Sequence, residues 1–349
     1  MILAGDIGGT KTALGLFTLE SGALRATATA EYASRDHAGL AEVVARFLAT
    51  RGPDLARSPL SAAGFGIAGP VLDRRVMATN LPWIVDAGDI ERHLAVPVRL
   101  LNDLAAMAAG IAELAPSDCA VLQAGRAAPG GTAALIAAGT GLGEAILAPV
   151  GDRLVPLASE GGHADLGARN EEEIAFLRFL LARYGRAAYE HVLSGPGLLN
   201  CYRFTHEAGD TGGTGARHAD LLTAADPPAA VSAAALAGTC PRCVKSLDLF
   251  VSIYGAEAGN LALKAMAVGG VYIGGGIAPK ILPALADGRF ITAFRDKGAP
   301  FAALLAGIPV QVILNPAAAL LGAARAAAEA CGSPAASGFS RNQSSRAGI

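Results

Sequence analysis

The chain has 349 residues, 52% of them hydrophobic and 17% charged, enough for two domains each with its own buried core. A formal net charge of −2, without clustered Lys and Arg, excludes a nucleic-acid surface built on phosphate neutralisation. Five irregularly spaced cysteines exclude a disulfide framework in a chain of this size.

Ile2 to Asp6 reads as a short apolar strand, Gly8-Gly9-Thr10 as turn material, and Thr12 to Phe17 as a second strand. Because Asp6 interrupts the first apolar stretch and no basic segment precedes it, the start is not read as a signal peptide, and a cytoplasmic location is expected. Glu20-Ser21-Gly22 turns into a third strand near Leu24 to Tyr32, which makes an antiparallel meander. Leu40, Val43, Val44, Phe47 and Leu48 follow helical spacing. Ser61 to Ala68 reads as a buried strand, and Asp86 opens a helix toward Leu94. Val98 to Asn102 is a strand feeding an alanine-rich helix from Asp103 to Glu113.

A similar order begins again downstream. Ala133 to Ala138 reads as a strand, Gly139-Thr140-Gly141-Leu142-Gly143 as a glycine turn, and Glu144 to Pro149 as a strand. Helices dominate from Glu171 to Lys264, interrupted by Gly209 to Gly215, read as a flexible surface loop. Cys240-Pro241-Arg242-Cys243 has no second CxxC or HxxxH to complete a zinc site, and reads as two reduced thiols near a helix start. Val271 to Ile273 is a strand ending in Gly274-Gly275-Gly276, Val310 to Leu314 is another, and Pro316 starts a last helix ending near Cys331. Ser333 to Ile349 is expected to be a disordered tail. The uncharged run from Gly298 to Ala324 is long enough to span a membrane, but Pro300, Pro309, Gln311, Asn315 and Pro316 cut it into a helix, a strand and a helix. Two halves that each open with strand, glycine turn and strand predict an α/β fold: a duplicated domain with mixed sheets covered by helices and an interdomain cleft.

Asp6-Ile7-Gly8-Gly9-Thr10 lets backbone N–H groups approach an anion without Cβ obstruction, and Thr10 adds a hydroxyl. Gly139, Thr140 and Gly141 repeat that chemistry, and Asp6 at a strand end suits Mg²⁺ held through water. Tight hairpins use the same residues, so one turn alone does not identify a phosphate site; two such turns with Gly274-Gly275-Gly276 point to one. Gly9-Thr10-Lys11-Thr12 resembles the end of a P-loop, but Thr10 stands where the P-loop needs glycine, and a strand follows where it needs a helix. A Rossmann turn fails for the same reason.

Leu101-Asn102-Asp103 ends a strand, where α/β sheets bind ligands. Asp103 is placed to accept a proton from a hydroxyl and Asn102 to hold one; spacing alone reads Asp103 more simply as the cap of the helix it opens. Glu160-Gly161-Gly162-His163 pairs an acceptor with a donor on permissive backbone, suited to vicinal hydroxyls or to an ordinary surface loop.

Asp6-x-Gly8-Gly9-Thr10, Thr79-Asn80, Leu101-Asn102-Asp103, Gly139-Thr140-Gly141-Leu142-Gly143, Glu160-Gly161-Gly162-His163, Ser194-Gly195-Pro196-Gly197 and Gly274-Gly275-Gly276-Ile277 occur in that order. As an ordered set they resemble bacterial glucokinases, members of the hexokinase–actin-like ATPase (ribonuclease-H-like) superfold. Over roughly residues 2–330 the resemblance implies a small domain of residues 1–113 plus 315–332 and a large domain of 114–314, closing on glucose and ATP. It implies Asp103 as base toward the glucose 6-hydroxyl, with Asn80, Asn102, Glu160, His163 and Glu190 on the sugar. Asp6, Gly8, Gly9, Thr10, Lys11, Gly139, Thr140, Gly141 and Gly275 would surround ATP and Mg²⁺, with Asp6 toward the metal. It further implies a homodimer, with no nucleic-acid or membrane partner.

Lys11 departs from the small polar residue expected there and is similar to the zinc-containing sugar-kinase and repressor family. That family's cysteine cluster and N-terminal helix-turn-helix are missing from this sequence. A kinase for fructose, mannose or an amino sugar, and a non-catalytic sugar-binding regulator, stay open as alternatives.

Overall fold

The computed structural model describes residues 1–151, 153–207 and 220–332; the expected loop at Gly209 to Gly215 and the expected tail from Ser333 lie outside the described residues. The chain divides into two compact units. One comprises Met1–Asp103 and the described residues of 320–349, the other Leu104–Ala319.

The first unit is built on β1 (Ile2–Ile7), β2 (Lys11–Glu20), β3 (Ala23–Ala33), β4 (Ala62–Ile67) and, after a small three-stranded sheet of β5 (Val71–Leu72), β6 (Arg75–Met77) and β7 (Ile84–Asp86), on β8 (Val98–Asn102). The main sheet runs β3-β2-β1-β4-β8. The first three strands form the expected antiparallel meander, while β1, β4 and β8 are parallel. β1 and β4 are buried on both faces and read as nearly continuous apolar runs, as central parallel strands do. The sheet closes on one side against the helix Leu40–Ala49, whose Val43 and Phe47 meet Leu3, Leu14 and Phe65 in one core. On the other side Gly64 of β4 admits the alanine-rich helix Ala318–Gly332, since a Cβ on Gly64 would overlap the Ala323 carbonyl. Asp86 caps the helix Ala87–Leu94 as its position predicts, its carboxylate accepting from the Gly88 and Asp89 N–H groups.

The second unit repeats the strand order. β9 (Cys119–Gln123), β10 (Ala133–Ala138), β11 (Leu142–Val150), β12 (Arg153–Ala158), β13 (Gly270–Gly274) and β14 (Val310–Ile313) form one sheet, ordered β12-β11-β10-β13-β14-β9. Again three antiparallel strands precede parallel ones, and a glycine turn joins the strand pair at the centre, so the expected duplication is present. The 25-residue helix Pro241–Ala265 crosses the core, with Phe250 and Tyr254 buried and Gly255 lying against the Phe290 backbone.

Three expectations need correction. Leu142 and Gly143 belong to β11 rather than to the glycine turn, because Leu142 pairs with Ala138 across the hairpin. The helix opened by Asp103 ends at Gly110 and tightens into a 3₁₀ turn, Ile111–Glu113. The last helix starts at Ala318, two residues after Pro316, with Asn315 Oδ1 accepting from the Ala317 N–H at 2.9 Å.

The uncharged run is divided, as its prolines predict, into the helix Phe301–Ala306, β14 and the last helix. Among the described residues no helix is long and apolar enough to cross a membrane. Cys240 acts as a helix cap, its Sγ accepting from the Cys243 N–H at 3.3 Å.

Candidate active site

In the first unit the candidates gather at the C-terminal ends of β1, β4 and β8. Ile7, Ile67 and Asn102 lie in register across these three strands, so Asp6 and Asp103 stand at the same end of the sheet. Asp103 is the first residue of its helix, where a carboxylate is favoured by the helix dipole. Its charge also reaches Asp6: burial, and then the Asp103 carboxylate, raise the Asp6 carboxyl from 3.8 to about 6, while Lys11 opposes the rise. Both groups are carboxylate oxygens in a half-buried place, a donor set that fits a hard cation such as Mg²⁺.

The turn above them is held from behind. Gly8 donates its N–H to the Lys11 carbonyl at 2.9 Å, and Ser34 donates its hydroxyl to the Gly8 carbonyl at 2.8 Å. Ser34 also donates its N–H to the Thr10 carbonyl at 3.0 Å, and its hydroxyl meets that of Thr12 at 2.9 Å. A Cβ on Gly9 would come within 2.5 Å of the Asn80 Cβ, so glycine is required by the approach of Asn80. The structure therefore places Asn80, a sugar candidate, against the phosphate-turn candidate Gly9. Thr10 and Lys11 are exposed, and Lys11 forms an ion pair with Glu31. Asn102 donates Nδ2–H to the Gly69 carbonyl at 3.2 Å.

In the second unit Leu142 is the meeting point. Its N–H donates to Glu190 Oε2 at 2.9 Å. Gly162 lies so close to its carbonyl that a Cβ there would overlap it. Glu160 precedes and His163 ends the 3₁₀ turn Gly161–His163, both exposed, with Oε2 and Nε2 3.9 Å apart. Tyr189, beside Glu190, donates its N–H to the Ala164 carbonyl at 3.0 Å, which joins this turn to Tyr189–His191. Glu160, His163 and Glu190 are thus brought together around the first residue of β11.

Gly139 and Gly141 close their turn through a 2.8 Å hydrogen bond from the Gly139 N–H to the Gly141 carbonyl, leaving Thr140 exposed. Gly195, first residue of the helix Gly195–Glu207, donates to the Gly139 carbonyl at 2.9 Å, and Gly197 donates to Ser194 Oγ at 3.0 Å. Gly195 thus fastens the turn, while Pro196 has no N–H to satisfy and Gly197 is capped by Ser194. Gly275 has φ +82° and abuts the Ala138 carbonyl so closely that no side chain fits. Beneath it the buried Tyr254 hydroxyl accepts from the Ala138 N–H at 3.2 Å. Sequence reasoning missed Ser34 and Tyr254, because each acts on a turn remote along the chain.

Comparison with known proteins places this arrangement. The Glucokinase family model matches residues 3–330. A glucokinase of Nostoc sp. is 40% identical over 342 residues, covering 94% of this chain and 99% of the relative. A glucokinase of Synechocystis sp. is 41% identical over 348 residues, covering 94% and 98%. The crystal structure of glucokinase from an Antarctic psychrotroph superposes with a TM-score of 0.81 at 28% identity, over 94% of this chain and 98% of that one. The shared fold is the duplicated actin-like ATPase fold, whose repeated strand order is described above. With a family match across almost its whole described length, the chain belongs to the glucokinase family.

Proposed function

We propose that the chain phosphorylates D-glucose at its 6-hydroxyl with ATP as donor. The observation that carries this reading is the pair Asp6 and Asp103 at one sheet end beside a glycine turn that admits no side chain. Phosphoryl transfer asks a protein mainly to position the reactants and neutralise charge. Asp103 accepts the proton of the 6-hydroxyl as its oxygen attacks the γ-phosphorus. Asn80, Asn102, Glu160, His163 and Glu190 hold the other hydroxyls. The backbone of Gly8, Gly9, Thr10, Gly139, Thr140, Gly141 and Gly275, with the Lys11 ammonium, orients the phosphates. Mg²⁺, when bound, neutralises phosphate charge, and Asp6 holds it through water. Residues 1–113 with 315–332 then act as the small domain and 114–314 as the large one, in a cytoplasmic homodimer.

The relatives' names and the unbroken set of candidates favour glucose kinase activity over a non-catalytic regulator. A coupled ADP-release assay with glucose, fructose, mannose and glucosamine tests the reading. The highest kcat/KM is expected for glucose, with little ADP released when sugar is absent. ADP release that ignores sugar, or a preference for another hexose, rejects it.

A further inference from the structure

One buried acid has no part in the mechanism above. Glu144 lies on β11 opposite Ile136 and is 2% exposed. Its Oε1 is buried with no hydrogen-bond partner. The rest of the carboxyl lies directly under Gly161, where an added Cβ would overlap Oε2. The turn Gly161–His163 therefore rests on β11 at two points, Gly162 on the Leu142 carbonyl and Gly161 on the Glu144 carboxyl.

The charged surroundings do not compensate a Glu144 anion. From the helix Pro241–Ala265, Glu257 repels it, Lys264 attracts it, and the buried Tyr254 hydroxyl feels its field. Lys264 is engaged with Glu257 at 3.3 Å, and Glu257 also accepts from Asn260 Nδ2 at 2.7 Å. Asn260 in turn donates to the Tyr189 hydroxyl at 3.1 Å and accepts from Lys297 Nζ at 2.6 Å. Above Glu144, the turn itself brings Glu160 and His163. The local cations and donors thus serve Glu257. Burial first, and then the Glu257 charge, push Glu144 up from 4.5 to about 7 against the pull of Lys264.

We propose that Glu144 is a positioning residue for the sugar-holding turn: its neutral carboxyl seats Gly161, and with it Glu160 and His163, while its anion unseats them. The proposal rests on the reading of Glu160 and His163 as glucose contacts. In the neutral form the carboxyl packs as a polar filler beneath the turn. The anion needs water at Oε1 and distance from Glu257, and the nearest yielding structure is the two-glycine turn above it. Glucose affinity should then weaken as pH rises through neutrality, with kcat little changed above the acid limb that Asp6 sets.

The test compares the parent chain with Glu144→Gln, which keeps the shape and removes the charge. Amide shifts of Gly161 and Gly162 in the ligand-free, isotope-labelled protein and steady-state glucose kinetics are both followed from about pH 5.5 to about pH 8.5, a range that brackets the neutral region. For the parent, both amides should titrate together and the glucose KM should rise about fivefold, a modest coupling between two sites. In Glu144→Gln both readouts should lose this change, with kcat within about twofold of the parent. His163 is present in both proteins, so the difference belongs to Glu144. Should the variant fail to fold, carboxyl-carbon shifts of the parent still decide, since absence of a glutamate titrating near neutrality overturns the proposal. It is equally overturned if the variant keeps the parent's pH profile, or if kcat falls with KM unmoved. Titrating amides in a parent that does not phosphorylate glucose overturn the underlying reading of the turn and leave Glu144 as the support of Gly161.

Discussion

Glu190 accepts a 2.9 Å hydrogen bond from the Leu142 N–H, the first amide after the Gly139-Thr140-Gly141 turn. The same carboxylate leaves no room for a side chain at Gly141, where a Cβ would stand 2.5 Å from Oε2. A candidate sugar contact and a candidate phosphate turn are therefore joined through one peptide group. Gly141→Ala should displace Glu190 and raise the glucose KM by about tenfold, the equivalent of one lost charge-assisted hydrogen bond. Steady-state kinetics alongside a thermal melt check this; an unchanged glucose KM in a folded variant would separate Glu190 from the sugar.

Replacing Asp103 by Asn keeps the helix start and removes the proton acceptor. The expected loss is about 10²- to 10⁴-fold in kcat, the usual worth of a general base. Glucose affinity, measured by calorimetry, should change much less. A near-normal kcat would assign Asp103 to the helix terminus alone.

Activity should fall on the acid side because Asp6 must be ionised to attract a cation. Its carboxyl is raised to about 6, so the anion is populated above that pH and lost as pH falls through it. Lys11 opposes the rise, and Lys11→Met should therefore move the acid limb of kcat/KM to higher pH. A limb that stays in place, or moves lower, contradicts the electrostatic link between the two residues.

The buried hydroxyl of Tyr254 accepts from the Ala138 N–H at 3.2 Å and donates to the Ile136 carbonyl at 3.3 Å. Tyr254→Phe leaves that N–H buried without its acceptor. The expected cost is about 1–3 kcal/mol in urea denaturation. A variant as stable as the parent would show that the strand end re-pairs.

Local chemistry made much of this legible in advance. Asp86 precedes its helix with a short oxygen acceptor, and Gly8-Gly9-Thr10 breaks one apolar strand from the next. Two strand–glycine–strand openings foreshadowed the repeated sheet, and Asn102-Asp103 stood visibly at a strand end. What escaped depends on distant partners or weak pattern. Ser34 braces Gly8 from 26 residues away, and Tyr254 supports Ala138 from 116 away, so neither has a local signature. β12 and β9 are the edge strands of their sheet, and exposed Leu157 and Val121 blur the alternation that marks a strand. β5, β6 and β7 are only two or three residues long, below what periodicity detects. Glu144 looked like an ordinary strand residue because its burial is set by the turn that covers it.

The doubled strand order has made two unequal halves. Asp6 is the penultimate residue of β1; the penultimate residue of β10, the matching strand, is Ala137. One hairpin thus carries an acid at its root, while its counterpart borrows a carboxylate from Glu190, which accepts from the Leu142 N–H. The same scaffold thus stands twice with its acids supplied differently: from the strand itself in the amino-terminal copy, and from a distant 3₁₀ turn in the carboxy-terminal one.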